Sequence, residues 1–222
     1  EGGVDPLQAD VTVGTSAGSL VGAAVSGGHL GRMAHEFDLF ARFPQLLTHL
    51  AHQAPPTPSQ TRALQLLQGS SVGDPAAIRE LGRAAMAARN GPIEQLERSL
   101  LLLVGTGWPS ETMHTTAVDC YTGERLVCSH DSGLWISHAV SASMSVPGAF
   151  GPTWLGDRLC MDGGMATTGT HCDLVAGARR VLIISLVDGL GGSQRLSALP
   201  NTIQQEVADL RAGGSEVLLV SA

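Results

Sequence analysis

Ala9-Asp10-Val11-Thr12-Val13-Gly14-Thr15-Ser16-Ala17-Gly18-Ser19-Leu20-Val21-Gly22-Ala23-Ala24-Val25 is the stretch that decides the fold. Residues 9–13 are compact and partly β-branched, which predicts a strand closed by Gly14. Residues 17–25 are mostly small, which predicts a helix. A strand that turns straight into a helix is the basic connection of an α/β fold. The turn itself reads Gly-x-Ser-x-Gly. A serine in the middle of such a turn stands on a sharp bend with its hydroxyl above the sheet. Crowding at the bend predicts that only small residues fit two positions away, at Gly14 and Gly18. The helix that starts at Ala17 points its N-terminus at the hydroxyl and favours negative charge developing there. Ser16 is therefore a candidate nucleophile. Taken alone, the pattern also arises by chance in a chain rich in glycine and serine.

The rest of the chain keeps the same alternation. Apolar residues at helical spacing (Met33, Phe37, Phe40, Phe43, Leu46, Leu47, Leu50) predict a helix within residues 31–50. Pro55, Pro56 and Pro58 predict a loop over 53–60, with a short helix at 62–67. Asp74-Pro75 reads as an N-cap followed by proline at the first helical position, opening a helix to about Ala88. Another helix is expected over 92–104. Residues 31–104 thus read as a helical insertion, a cap or side layer. Its apolar stripe is either ordinary core or the wall of an apolar pocket. Strands are expected at 112–118, 126–129, 158–161, 181–185 and 217–220. Helices are expected at 137–144 and 203–211, with a helix end at 174–180. Strands that are apolar on both faces predict an α/β sandwich with a mostly parallel sheet.

Composition narrows the function. Thirteen cationic residues face twenty acidic ones, a net charge of −7, and no basic stripe for nucleic-acid phosphates is visible. All the cations are arginine, so Schiff-base lysine, Ser-Lys dyad and Walker-lysine chemistry are excluded within these residues. The four cysteines form no Cys-x-x-Cys pair, so no zinc ribbon or thioredoxin-type site is expected and buried free thiols are. No cofactor or metal site is expected. No run reaches the roughly 18 apolar residues that span a bilayer. Residues 100–104 and 181–187 are expected to be buried. The expected location is the cytoplasm or the periphery of a membrane.

A nucleophilic serine needs a base. Of the eight histidines only His171, shortly after a glycine-rich segment, is a candidate, and no later histidine follows it to complete a Ser, acid, His triad, which therefore fits poorly. Asp162, in Met161-Asp162-Gly163-Gly164, follows a strand end and is flanked by glycines that let its backbone approach another loop. A directly bonded carboxylate can take the serine proton, and partial burial would make it more basic. Read alone, Asp-Gly-Gly is equally an ordinary turn.

The ordered set carries a resemblance. Residues 13–19, then Ala117-Val118-Asp119 with Thr122-Gly123-Glu124, then Ser143–Gly148, Met161–Gly164 and 181–185, resemble the patatin-like phospholipase family in a bacterial form. The resemblance spans about residues 8–221. It implies a three-layer α/β/α sandwich and a single catalytic domain over 1–222. It further implies a serine acyl hydrolase of lipid esters acting through a Ser-Asp dyad and an acyl-enzyme. By the same match Ser16 is the nucleophile and Asp162 the base, with Gly14, Ala17, Gly18, Gly163 and Gly164 supporting them. Ser143–Gly148 is then a structural turn. The partner expected is a lipid or ester substrate, with no nucleic acid and no transmembrane segment.

Three departures matter. The family carries a glycine-rich oxyanion loop on a first strand before the serine turn. Only 13 residues precede Gly14 here, and residues 1–6 read as the end of a following helix. The resemblance therefore implies an N-terminally truncated domain, lacking that strand and inactive as it stands. The alternative is a non-catalytic relative that binds a lipid or partner. Ala166 stands where Arg or Lys is often found, and Gly169–Cys172 replaces the usual small-polar and Asn run.

Overall fold

A computed structural model describes residues 5–43, 55–69, 74–88, 93–168, 170–185 and 202–221. Strand β1 (Thr12–Gly14) leads into helix α1 (Ala17–Ser26), as the opening stretch predicts. Ahead of them Pro6–Gln8 form a single 3-10 turn capped by the Asp5 carboxylate, and residues 1–4 of the expected helix end lie outside the described residues. Among the described residues, four helices then follow: α2 (Leu30–Arg42), α3 (Pro58–Gly69), α4 (Pro75–Ala87) and α5 (Ile93–Val104). Next come β2 (Met113–Asp119), β3 (Arg125–Cys128), α6 (Ile136–Ser143), β4 (Thr153–Leu155) and β5 (Arg158–Asp162). Strand β6 (Arg180–Ser185), helix α7 (Thr202–Ala212) and strand β7 (Glu216–Ser221) end the chain.

Helix α4 starts as expected: the Asp74 carboxylate accepts the Ala76 N–H, and Pro75 fills a position that needs no donor. Helix α3 begins earlier than the prolines suggested. Thr57 and Gln60 cap each other, with the Thr57 N–H on Gln60 Oε1 at 2.7 Å and the Gln60 N–H on Thr57 Oγ1 at 3.3 Å. Pro58 is therefore a helix starter, not a loop residue. The helix end expected at 174–180 is only a short 3-10 turn, Cys172–Val175. The short strand β4 had no clear signal in the sequence.

Strand β2 organises a mixed sheet. It pairs parallel with β1 and antiparallel with β3 and β5, and β4 extends the sheet beyond β5. Thr115 is opposite both Gly14 and Cys128, so β1 and β3 lie on opposite edges of β2. Ala117 is opposite both Leu126 and Asp162, so β5 also lies opposite β3. Strands β1 and β5 therefore share one edge of β2 and meet there end to end. Their C-terminal residues, Gly14 and Asp162, face Thr115 and Ala117, with only Thr116 between.

Both faces of the sheet are covered. Met113 packs with Ala23, Leu100, Ile136 and Val140, from α1, α5 and α6. On the other face Val118 and Cys120 pack with Leu67, Ile78, Leu81 and Ala85, from α3 and α4. The period-2 alternation of β2 thus feeds two helical layers, giving an α/β sandwich. Helices α3 and α4 form one of the layers through that packing. Of the apolar stripe expected in the helical segment, Phe43 is exposed, the side chains of Phe37 and Phe40 are outside the described set, and Leu46, Leu47 and Leu50 lie beyond the described residues.

Two expectations of burial fail. Leu100 is buried, but Leu102 on the opposite side of α5 is 85% exposed. Strands β6 and β7 form a separate parallel pair, in which Leu182 and Ile184 stand beside Leu218 and Val220. All four are exposed, with Ile184 at 68%. An apolar run shows that a residue is able to be buried; the packing of neighbours decides whether it is. The four cysteines are free and buried, as expected.

Gly82 on α4 lies close against the backbone of Cys120, the residue that follows β2. A Cβ there would run into the backbone carbonyl of Cys120. Gly82→Ala is expected to destabilise the protein by about 1–3 kcal/mol through overpacking. Gly31→Ala, in α2 where a Cβ meets nothing within 4 Å, is the matched control. Thermal unfolding of the two variants side by side checks this; equal midpoints would contradict it.

Candidate active site

The turn at Ser16 is strained in the way its sequence suggests. Ser16 has φ 54° and ψ −131°, a conformation that side-chain-bearing residues rarely adopt. It occupies the N-cap position of α1, yet its hydroxyl makes no cap bond. The hydroxyl donates instead to Asp162 Oδ2 at 2.6 Å. Two residues 146 positions apart meet because β1 and β5 abut on one edge of β2.

The surroundings hold the bend. The Ser16 N–H donates to Ser143 Oγ at 2.9 Å, and Ser19 Oγ donates to the Ser16 carbonyl at 2.6 Å. Thr15 and Thr116 join their hydroxyls at 2.7 Å. Gly14 is sterically required, since a Cβ there would lie 2.5 Å from Ser19 Cα and 2.6 Å from the Gly18 carbonyl oxygen. Gly18 differs from the expectation. A Cβ there meets nothing within 4 Å among the described residues, because it projects outward from the first turn of α1. Crowding at the turn is thus one-sided.

Asp162 is 1% exposed. Oδ1 accepts the Gly164 N–H at 2.8 Å, and the Asp162 N–H itself donates to the Ser145 carbonyl at 3.0 Å. Gly163 lets the chain pass against the Thr116 backbone, where a side chain would collide. Burial pushes the Asp162 carboxyl from 3.8 up to about 6, against the hydrogen bonds from Ser16 and Gly164 that favour the charged form. A carboxylate so placed is a stronger base than an exposed one and touches the hydrogen it would remove.

His171 does not reach Ser16. It is buried, in a left-handed conformation (φ 56°), and its Nε2 faces the Gly163 carbonyl at 2.9 Å. A His-based dyad with Ser16 is not assembled. Ser143, Thr15 and Thr116 were not singled out from the sequence as site residues. Ser143 lay inside a segment read as architecture, and only the packing of α6 beside α1 reveals that its hydroxyl holds the serine turn. The segment with Asp119, Thr122 and Glu124, quoted for the resemblance, forms a turn after β2 in which Asp119 Oδ1 accepts the Tyr121 and Thr122 N–H groups. Among the described residues no group of three His, Cys, Asp or Glu side chains is arranged to hold a metal, and no helix is long and apolar enough to cross a membrane.

The buried carboxylate also has a stability signature. Between pH 3.8 and about 6 the native protein keeps a proton that the unfolded chain has released. The penalty for burying the ionised form is complete above pH 6 and fades as pH falls toward 3.8. Asp162→Asn removes that penalty, so its gain in unfolding temperature should be larger at about pH 8 than at about pH 4.5. Calorimetry at the two values tests this; an asparagine variant less stable than the wild type at the higher pH would contradict it.

No curated protein matches the chain at a significant level. A family described as patatin-like phospholipase matches residues 5–170, a span that contains the serine turn, all of β2 and the Asp162 segment. The match covers well over half of the chain, and the protein belongs to the patatin-like phospholipase family.

Proposed function

We propose that the protein is a serine acyl hydrolase that cleaves carboxylic esters of lipids, with Ser16 as nucleophile and Asp162 as general base. The observation that carries this reading is the 2.6 Å bond from Ser16 Oγ to a carboxylate that is almost fully buried. In the first half-reaction Ser16 Oγ attacks the ester carbonyl carbon while its proton passes to Asp162 Oδ2. The tetrahedral intermediate collapses, the proton goes to the leaving oxygen, and an alcohol or lysolipid departs. Water then attacks the acyl carbon, giving a proton to Asp162, which passes it to Ser16 Oγ as the acyl–Oγ bond breaks, so that the fatty acid leaves and both residues return to their starting state. Negative charge on the intermediate lies over the first turn of α1. The Ala17 N–H has no intrahelical acceptor there and is one available oxyanion donor.

The strained φ of Ser16 supports the same role, since an N-cap serine free of function would relax to extended backbone and cap its helix. Membership of a phospholipase family favours a lipid ester over a peptide.

The test is labelling of the natural full-length protein by a fluorophosphonate probe, with hydrolysis of phosphatidylcholine and of a p-nitrophenyl acyl ester in parallel. Ser16→Ala is expected to abolish labelling and turnover, and Asp162→Asn to lower turnover by about 10²-fold or more. Labelling that persists in Ser16→Ala would falsify the assignment. Lipid binding without turnover would support the non-catalytic alternative.

The pH dependence follows from the same geometry. Only ionised Asp162 can accept the proton, so kcat/KM should rise with pH along a limb centred near 6 instead of near 3.8. A limb at the ordinary carboxylate value, or its persistence unchanged in Asp162→Asn, would count against Asp162 as the base.

A further inference from the structure

His171 takes no part in the Ser16–Asp162 bond, yet it is 1% exposed and packed against the segment that carries Asp162. Its surroundings determine where its proton lies. Nδ1 is 3.3 Å from Arg125 Nη1 and 3.3 Å from Thr168 Oγ1. A guanidinium has donors and no acceptor, so Nδ1 must present its lone pair. Burial, with Arg125 beside it, favours the neutral ring, and its one proton is then on Nε2. Nε2–H donates to the Gly163 carbonyl at 2.9 Å.

That carbonyl and the Gly164 N–H are the two ends of one planar peptide unit. The N–H end donates to Asp162 Oδ1 at 2.8 Å. One rigid plane therefore links the imidazole to the carboxylate. The residues on both sides of the plane are glycines, which offer little steric resistance to its rotation. Among the described residues this carbonyl also accepts the Ala166 N–H, at the longer distance of 3.2 Å.

We propose that His171 is a positioning residue: it pins the Gly163–Gly164 peptide by its carbonyl and so keeps the Gly164 N–H on Asp162. This rests on the reading of Asp162 as the base. Arg125 acts one step further out. It is held by Asp173 through bonds of 2.8 and 2.7 Å, and it fixes the tautomer of the ring. The charged groups around the imidazole are Arg125 from β3, Asp173 on its own segment and Glu206 from α7. Glu206 accepts the Cys172 N–H at 2.8 Å and the Thr170 N–H at 3.4 Å, which fixes the backbone on either side of His171.

The test compares wild type, His171→Leu and His171→Gln, with Ser16→Ala as the blank and circular dichroism as the check on folding. Leucine fills the site without a donor, whereas the glutamine amide can reach the same carbonyl. His171→Leu should lower kcat about tenfold with KM unchanged. Its acidic limb should move to higher pH, because the carboxylate has lost a donor that favours its charged form. His171→Gln should restore both. A second readout needs no turnover: the carbon-13 carboxyl titration of Asp162 should shift upward in His171→Leu and return in His171→Gln.

Wild-type kcat and titration midpoint in His171→Leu overturn the proposal, as does a folded His171→Gln that behaves like the leucine variant. If the wild type shows no Ser16-dependent turnover but the Asp162 titration still follows His171, the hydrolase reading fails and the positioning role stands. If His171→Leu does not fold, Arg125→Met removes the group that fixes the tautomer. It should shift the titration in the same direction by less, and no shift there overturns the proposal.

Discussion

The structure depends on two strands ending against each other on one edge of β2. Strand β1 arrives parallel and stops at Thr115; β5 arrives antiparallel and stops at Ala117. A sheet edge interrupted in this way is left with one residue, Thr116, opposite a gap. The chain leaves β1 through the Ser16 turn and leaves β5 through the Asp162 turn, so both turns open over the same gap. The short Ser16–Asp162 bond spans it. Thr116 serves both sides, through its hydroxyl bond to Thr15 and through the close passage of Gly163 over its backbone.

Around that gap each layer of the fold has a local task. Helix α1 starts at the serine and keeps its N-terminus free of a side-chain cap, because the hydroxyl is engaged elsewhere. Helix α6, buried over nearly its whole length, supplies Ser143 to the Ser16 N–H. The turn that follows α6 offers the Ser145 carbonyl to the Asp162 N–H. The segment after β5 folds back to place His171 under Gly163, with Arg125 and Asp173 outside it. Burial raises the pKa of the Asp162 carboxyl, against the one peptide N–H and the one hydroxyl that favour its charged form. The strain at Ser16 and the burial of Asp162 are both unfavourable locally, and the packed layers on either side of β2 are what make them sustainable.

Much of this was legible because the governing signals are local. Strand-turn-helix at Gly14–Gly18, the Asp74-Pro75 start of α4, the helix at 136–143 and the strand before Asp162 all follow from residue types within a few positions. Where the reading failed, the deciding contact was distant or reciprocal. Pro58 looked like a breaker until the Thr57–Gln60 cap made it a starter. The apolar runs around Leu102 and Ile184 looked buried, and burial is a property of neighbours. Gly18 looked sterically obligatory, but the direction of its missing Cβ depends on the rotation of α1.

The sequence by itself determined the kind of chain this is: an α/β protein without lysine, with Ser16 on a sharp turn and Asp162 between a strand and two glycines. These are consequences of propensity, steric size and side-chain chemistry, which act over a few residues. Only the tertiary structure decided that the serine and the carboxylate meet. It also decided that Ser143 holds the turn and that His171 grips the peptide next to Asp162 instead of reaching Ser16. Those outcomes follow from which edge of β2 each strand occupies and how far along it each one stops. Register between distant segments is set by the packing of the whole sheet, and no local stretch of sequence encodes it.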